Sequence, residues 1–479
     1  MNRKASSNAR IGVFGIGLEA YWDQFAGLKE KLEGFQQHVE TQLENAGGEV
    51  ISAGLVDSHP SAQTASDLFA RSDLDLLICY VGTYATSSTV LPVVQRTRAP
   101  VLVLNLQPVA ALDYENTDTG LWLESCCACC VPEISNAFAR ARIQFNVVSG
   151  MLFDDPRAWT QITDWVRAAT VKRTLSRSRI GFLGHTYPGM MDMYSDFTMV
   201  TAQTGAHVEI LEMEDLQACL EAVSDSELEA KKLEIKNTFD IAEPGRDKIS
   251  VPVTEESFEW SSRVACALDR MVESFNLDGL TYYYRGLNGN IFEQLWSGLI
   301  VGNSLLTARG IPAAGEGDLK TCLAMKIMDA FGAGGSYTEF YAMDFLENFV
   351  MMGHDGPGHV AISDAKPILR GLGLYHGKRG YGISVEFSVK HGPVTILGVT
   401  QTADGNLKLL ASEGESILGS RLQIGNTNSR LKFSLDPAAF MDAWCEEGPT
   451  HHVALGVGHQ LSKLKKFARL AGLEFKVVG

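Results

Sequence analysis

Short apolar runs that end in glycine punctuate the first two thirds of the chain, each followed by a stretch with helical spacing. Ala9-Arg10-Ile11-Gly12-Val13-Phe14-Gly15 returns as Ser178-Arg179-Ile180-Gly181-Phe182-Leu183-Gly184, a buried-strand pattern closed by a turn. In each copy a second strand follows, at 48–52 and at 206–211. The apolar runs at 73–80 and 100–105 are answered by 277–284 and 311–314. Strands alternating with helices predict an α/β chain with two tandem doubly wound parallel-sheet domains. The polar stretch at 172–178 is expected to be the linker between them. A helix is predicted over 318–330, with Leu319, Leu323, Met325, Ile327 and Met328 as its apolar face.

From about residue 366 the period becomes that of strands: 382–387, 394–400 and 406–410, the last two separated by the hairpin signal Asp404-Gly405. A last helix at 461–471 and a strand at 474–478 complete a domain expected to be mostly antiparallel β and barrel-like. The expected domains are an N-terminal α/β domain at 1–176, a central α/β domain at 177–345, and a β-rich domain at 346–479.

A chain of 479 residues exceeds one core, and 45% hydrophobic with 20% charged residues argues against long disorder. The net charge of −16 disfavours nucleic acid or an anionic membrane as partner. The polar start at 1–7 leads into a strand without the apolar stretch of a signal peptide, and no apolar run is long enough to span a bilayer, so a cytoplasmic protein is expected. Five of the nine cysteines are scattered singly, as reduced thiols that pack like small hydrophobes. The other four form Cys126-Cys127-Ala128-Cys129-Cys130, two overlapping C-x-x-C spacings. A metal or redox pair competes there with a structural reading as small side chains at a tight helix start. The structural reading is preferred, because zinc and iron–sulfur sites draw ligands from separated loops.

Gly15-Ile16-Gly17-Leu18-Glu19-Ala20 fits the dinucleotide fingerprint G-x-G-x-x-A, which raises an NAD(P)-linked oxidoreductase. The second strand, however, comes too late and lacks the acid that holds the ribose, so glycines in a tight turn are preferred. No G-x-S-x-G elbow supports a hydrolase, and Gly332-Ala333-Gly334-Gly335-Ser336 lacks the phosphate-loop lysine.

The remaining chemistry lies in the last third. Glu316 sits in Gly315-Glu316-Gly317-Asp318, just past a strand end, where open parallel sheets bind ligands. Glu339 follows Gly334-Gly335-Ser336-Tyr337-Thr338, His354 opens a Gly-rich segment, and His452 follows Thr450-His451. Glu339 and His354 are expected in one loop–helix stretch, and all four residues in Gly-rich or otherwise non-core settings. Two O and two N donors suit Mn²⁺, Fe²⁺, Co²⁺ or Zn²⁺ and disfavour an all-oxygen Ca²⁺ cage. Any one of them alone reads first as a solvated or structurally hydrogen-bonded side chain; only convergence makes a site.

The run Gly315-Glu316-Gly317-Asp318-Leu319-Lys320-Thr321, then Gly334 to Glu339, Val350 to His354 and Thr450-His451-His452 resembles, in order and spacing, the metal site of L-arabinose isomerases and, more distantly, L-fucose isomerases. The resemblance is best from about residue 314 onward. It implies a homohexameric sugar isomerase with a site between subunits. Glu316, Glu339, His354 and His452 would ligate Mn²⁺ or a similar ion, and the two glutamates would move protons in an aldose–ketose interconversion through a cis-enediol. His451 and His359 are extra imidazoles expected to support the site. Thr83, Tyr84, Ser125, Met191 and Tyr284 fall where the family lines its pocket. Ser125 and the cysteine cluster stand where arabinose isomerases carry Gln and His, and Gly15 to Glu19 replaces a glutamine loop, so a sugar other than L-arabinose, such as a deoxy sugar, is expected. A non-catalytic sugar-binding descendant is the alternative, against which the four intact ligand residues argue.

Overall fold

Five parallel strands, β1 (Arg10–Ile16), β2 (Glu49–Val56), β3 (Leu76–Tyr80), β4 (Val101–Gln107) and β5 (Phe145–Met151), form the first sheet in the order β2-β1-β3-β4-β5. All five residues of β3 are buried, as expected of a sheet covered on both faces by helices. The helix Leu28–Asn45 lays Leu28, Leu32, Val39 and Leu43 inward at helical spacing. In the computed structural model, which describes residues 8–243, 245, 250–285, 289–375 and 378–479, this sheet belongs to a compact unit, Met1–Thr174, and the rest to a second, Leu175–Gly479. The polar start at 1–7 lies outside the described residues.

Two expectations change in the first unit. The stretch at 172–178 holds the boundary between the two units, as expected, but the helix Pro156–Ser176 runs through most of it, so it is not a loose linker. Val171 and Leu175 are buried one turn apart, and the Arg173 guanidinium meets Asp75 at 3.0 Å and Asp73 at 3.2 Å, so this charge anchors the helix. The glycines of the fingerprint do not open a helix either. A 3₁₀ turn, Glu19–Tyr21, intervenes before Leu28, and the Gly15 N–H donates to the Gln36 side chain at 3.1 Å, where a Cβ would collide with that same oxygen. The cysteine cluster begins the helix Cys127–Arg140, with Cys126 as its N-cap. Burial pushes the Cys126 and Cys130 thiols up to about 12, which keeps them protonated at neutral pH.

The second unit opens with another parallel sheet. Strands β6 (Arg179–Gly184), β7 (His207–Leu211), β10 (Gly279–Tyr283) and β11 (Ala313–Ala314) lie in the order β11-β10-β6-β7. The short β8 (Asp240–Ile241) and β9 (Ser250–Val251) instead join β14 (Ile368–Tyr375) and β15 (Lys378–Glu386) in a separate sheet. Strands β12 (Gly334–Asp344), β13 (Phe349–His354), β16 (Gly392–Gln401), β17 (Leu407–Ile417), β18 (Thr427–Phe433), β19 (His452–Val457) and β20 (Glu474–Val477) build an antiparallel sheet to which only β20 is added parallel. Pairing of β16 with β17 closes it into a barrel-like domain. Leu431, Ile396, Leu410 and Val453 belong to its core, where the Phe433 and Phe440 rings stack at 3.8 Å.

Residues 334–354 are therefore a hairpin of long strands rather than the expected loop–helix stretch. Tyr337, Thr338, Phe340 and Tyr341, then Phe349, Val350, Met351 and Met352, favour extended backbone once β19 and β18 supply ladders on either side. Gly334 and Gly335, at φ of 82° and 123°, belong to the strand entrance. Among the described residues no helix is long and apolar enough to cross a membrane.

Candidate metal centre

Glu316 leaves the end of β11 with φ of 62°, a left-handed backbone that a side chain adopts only when its surroundings impose it. Those surroundings are visible. The Glu316 carbonyl accepts the Tyr187 N–H at 2.8 Å, and the Gly317 N–H donates to the Tyr282 carbonyl at 3.0 Å. Gly317 has φ of 71°, and a Cβ there would lie 2.5 Å from the His185 carbonyl oxygen and 2.6 Å from the Thr186 Cα. Asp318 then caps the helix Leu319–Ala330, as the spacing predicts, accepting the Thr321 N–H at 3.0 Å.

The barrel supplies the other three residues. β12 runs between β13 and β19, so Glu339 stands directly opposite both Gly353 and His452. His354 ends β13, its N–H donating to the Thr427 hydroxyl at 2.9 Å and its carbonyl accepting from the same hydroxyl at 3.0 Å. The expected non-core setting does not hold for the imidazoles: His452 is fully buried and His354 is 5% exposed. Tertiary packing, not local composition, sets their burial.

The side chains converge. His354 Nε2 lies 3.1 Å from His452 Nε2, and His452 Nε2 lies 3.6 Å from Glu316 Oε2. One donor atom from each of Glu339, His354 and His452 falls within 4.8 Å of the others, and the same holds for Glu316, His451 and His452. Two imidazole nitrogens bound to one ion at about 2.1 Å and at right angles stand about 3 Å apart, so the spacing and the mixed O/N donor set fit a divalent transition metal.

His452 is also oriented from behind. Its Nδ1 lies 3.0 Å from Asp318 Oδ2, a fully buried carboxylate. Burial drives the Asp318 carboxyl upward, but the His452 hydrogen bond, the Thr321 N–H and the Lys320 charge outweigh it and hold the group below its ordinary value. An ionised Asp318 only accepts, so Nδ1 of His452 donates to it, and in the neutral imidazole Nε2 is then the nitrogen left to face the cluster as an acceptor. His451 takes a parallel role beside Glu316. Its Nδ1 is 2.6 Å from Asp192 Oδ2, its backbone N–H donates to that same oxygen at 3.0 Å, and its Nε2 is 3.9 Å from Glu316. Burial opposes ionisation of Asp192, yet the hydrogen bonds and charge of His451 win and lower it to about 2. Burial would lower His451, and Asp192 reverses this and raises it.

Tyr187, Tyr283, Trp296 and Asp355 line a cavity that reaches Glu316 and His354. Of the residues expected to read the sugar, Met191 is 75% exposed at the start of the turn Met191–Met193 that carries Asp192. Tyr284 packs on the Phe292 ring at 5.6 Å, and Tyr282 and Tyr283 rather than Tyr284 line the cavity. In the first unit, the buried Thr83 hydroxyl donates to the Leu123 carbonyl at 2.7 Å, the Tyr84 hydroxyl donates to Glu133 at 3.3 Å, and the Ser125 N–H donates to the Trp122 carbonyl at 3.0 Å.

Sequence reasoning passed over Asp318, Tyr337 and Asp192. The first two had a signal, Asp318 as a helix cap beside Glu316 and Tyr337 two residues before Glu339 on the same strand face. Asp192 had none, standing 259 residues from His451.

Fold and cluster together define a class: an α/β chain with a C-terminal barrel-like domain, in which a strand-end carboxylate meets a buried barrel imidazole that is itself grouped with a second imidazole and carboxylate of the barrel. Comparison with known proteins narrows it. Residues 195–334 match the model of the L-arabinose isomerase central domain, and residues 334–474 that of the L-arabinose isomerase C-terminal domain. Together these matches span more than half of the chain, which belongs to the L-arabinose isomerase family. It is 24% identical over 435 residues to the L-arabinose isomerase of Acidothermus cellulolyticus, covering 88% of this chain and 84% of the relative. The L-arabinose isomerase of Salmonella enteritidis PT4 is 24% identical over 392 residues, 79% of this chain and 76% of its own. A solved carbohydrate acetylesterase from Sinorhizobium meliloti covers 33% of the chain and 99% of itself at 13% identity and a TM-score of 0.22, too low to carry an argument. By family the chain is an enzyme of the sugar-isomerase class, an intramolecular oxidoreductase.

Proposed function

We propose that this chain is a divalent-metal-dependent aldose–ketose isomerase acting on a free pentose, hexose or deoxy sugar through a cis-enediol. The observation that carries the reading is a pair of donor triads joined at His452, Glu339 with His354 on one side and Glu316 with His451 on the other, drawn from a sheet end and three barrel strands. Mn²⁺ or a similar ion held there would polarise adjacent sugar oxygens and stabilise charge on the enediolate. One of Glu316 and Glu339 removes the proton from the carbon next to the carbonyl and the other carries the hydroxyl proton between the two oxygens. His354 and His452 orient the donor set, and the cavity lined by Tyr187, Tyr282 and Tyr283 gives the sugar a place beside Glu316 and His354. By the same family reading the protein is cytoplasmic and homohexameric, and light scattering should give six times the 52.2 kDa chain mass.

The test is turnover of a panel of aldoses by chelator-stripped protein with and without Mn²⁺, alongside Glu316→Gln and Glu339→Gln. Ketose should form only with metal, and each substitution should lower kcat by about 10²–10⁴. Ketose formation indifferent to metal, or full activity in both variants, would sink the proposal.

A further inference from the structure

The buried side chain of Tyr337 reaches both barrel imidazoles and the strand end that carries Glu316. Its ring lies 4.4 Å, centroid to centroid, from that of His354 and 4.5 Å from that of His452. Its hydroxyl is 2.7 Å from His452 Nδ1, 3.1 Å from His452 Nε2 and 3.2 Å from the carbonyl oxygen of Gly315, the residue that precedes the left-handed Glu316. On β12 it shares a face with Glu339, two residues on. The glycine at 315 makes room for it, since a Cβ there would press on the Tyr337 ring at 3.2 Å. A hydroxyl has one hydrogen and two acceptor lone pairs. The Tyr337 hydroxyl donates its hydrogen to the Gly315 carbonyl, and the single Nδ1–H of His452 is shared between Asp318 Oδ2 at 3.0 Å and the Tyr337 oxygen at 2.7 Å.

We propose that Tyr337 is the positioning residue that preorganises the divalent-metal site, holding the His452 tautomer, the His354 ring and the Glu316 turn in one arrangement through a single hydroxyl and ring. The inference rests on the functional reading above. Removing a group that orients metal ligands typically lowers affinity 10–100-fold. Tyr337→Phe keeps the ring and deletes the hydroxyl, and should weaken Mn²⁺ binding by that factor. The readout is calorimetric Kd for Mn²⁺ on the full chain, together with the rise in Tm that one fixed Mn²⁺ concentration produces over the metal-free protein, because at a fixed concentration the stabilisation grows with the logarithm of the affinity.

A merely structural hydroxyl would lower Tm with and without metal alike, leaving both Kd and the metal-induced rise as in the parent; that result overturns the proposal. Should Tyr337→Phe fail to fold, Gly315→Ala serves, since it displaces the ring while retaining the hydroxyl. Weakened Mn²⁺ binding supports the proposal and unchanged binding overturns it. If the parent chain binds no Mn²⁺ and isomerises no aldose, the functional reading itself fails. A parent that binds and turns over while both variants match it defeats only the role of Tyr337.

Discussion

Gly317→Ala is a sharp probe of how the strand-end carboxylate is held, and Gly332→Ala is its internal control. Both glycines are left-handed, with φ of 71° and 78°. They differ in surroundings: a Cβ at 332 meets nothing within 4 Å, whereas at 317 it would be 2.5 Å from the His185 carbonyl and 2.6 Å from the Thr186 Cα. A left-handed alanine costs about 1–2 kcal/mol, part of it offset by the reduced freedom of the unfolded chain, so Gly332→Ala should lose about 1 kcal/mol. The crowding at 317 is against backbone, which cannot rotate away, and overpacking adds about 1–3 kcal/mol, bringing Gly317→Ala to about 2–4 kcal/mol. Urea unfolding of both variants in chelator, followed by far-UV circular dichroism, measures the difference. Any displacement of the loop also moves Glu316, so Gly317→Ala should lose turnover far beyond its loss of folded protein while Gly332→Ala keeps it. Equal destabilisation of the two variants would refute the claim that the Glu316 loop is clamped against 185–186.

The Asp192–His451 pair should leave a pH signature in the metal-free protein. Asp192 titrates near 2 in the fold against an ordinary value near 4, so its contribution is present above about pH 4 and lost as pH falls toward 2. His451 is raised above its ordinary value of about 6.5, so its contribution is complete below that pH and fades as pH rises through the folded value. Stability gained from the pair should therefore peak between about pH 4 and 6.5, and Asp192→Asn should flatten the difference across that window in chelator-treated thermal melts; an unchanged profile would rule the pair out. Brief iodoacetamide treatment of the native protein at pH 7.5 should modify the exposed Cys129 and Cys445 and spare Cys126, Cys127 and Cys130, whose thiols burial pushes upward. Peptide mass spectrometry reads the pattern, and early labelling of Cys130 would contradict it.

Strand and helix order were legible because burial on both faces of a parallel sheet leaves unbroken apolar runs, as in β1 and β3, and because Leu319 to Met328 carry a helical spacing. The helix through 172–176 was not, since Arg173 is polar by composition and its charge is met by Asp73 and Asp75, about a hundred residues away. The β12–β13 hairpin was missed for a related reason. Gly334 and Gly335 read locally as a loop, and the strand exists because β18 and β19, far along the chain, complete its ladders.

The four candidate ligands and their flanking glycines were present in the residue order alone, because close turns and ligand donors demand particular residue types wherever they occur. Which groups stand behind those donors was decided only by the fold. Asp318 against His452, Asp192 against His451 and Tyr337 against His452 are contacts between segments 115–259 residues apart. Hydrogen bonding and burial act through space, so no pattern along the chain announces them.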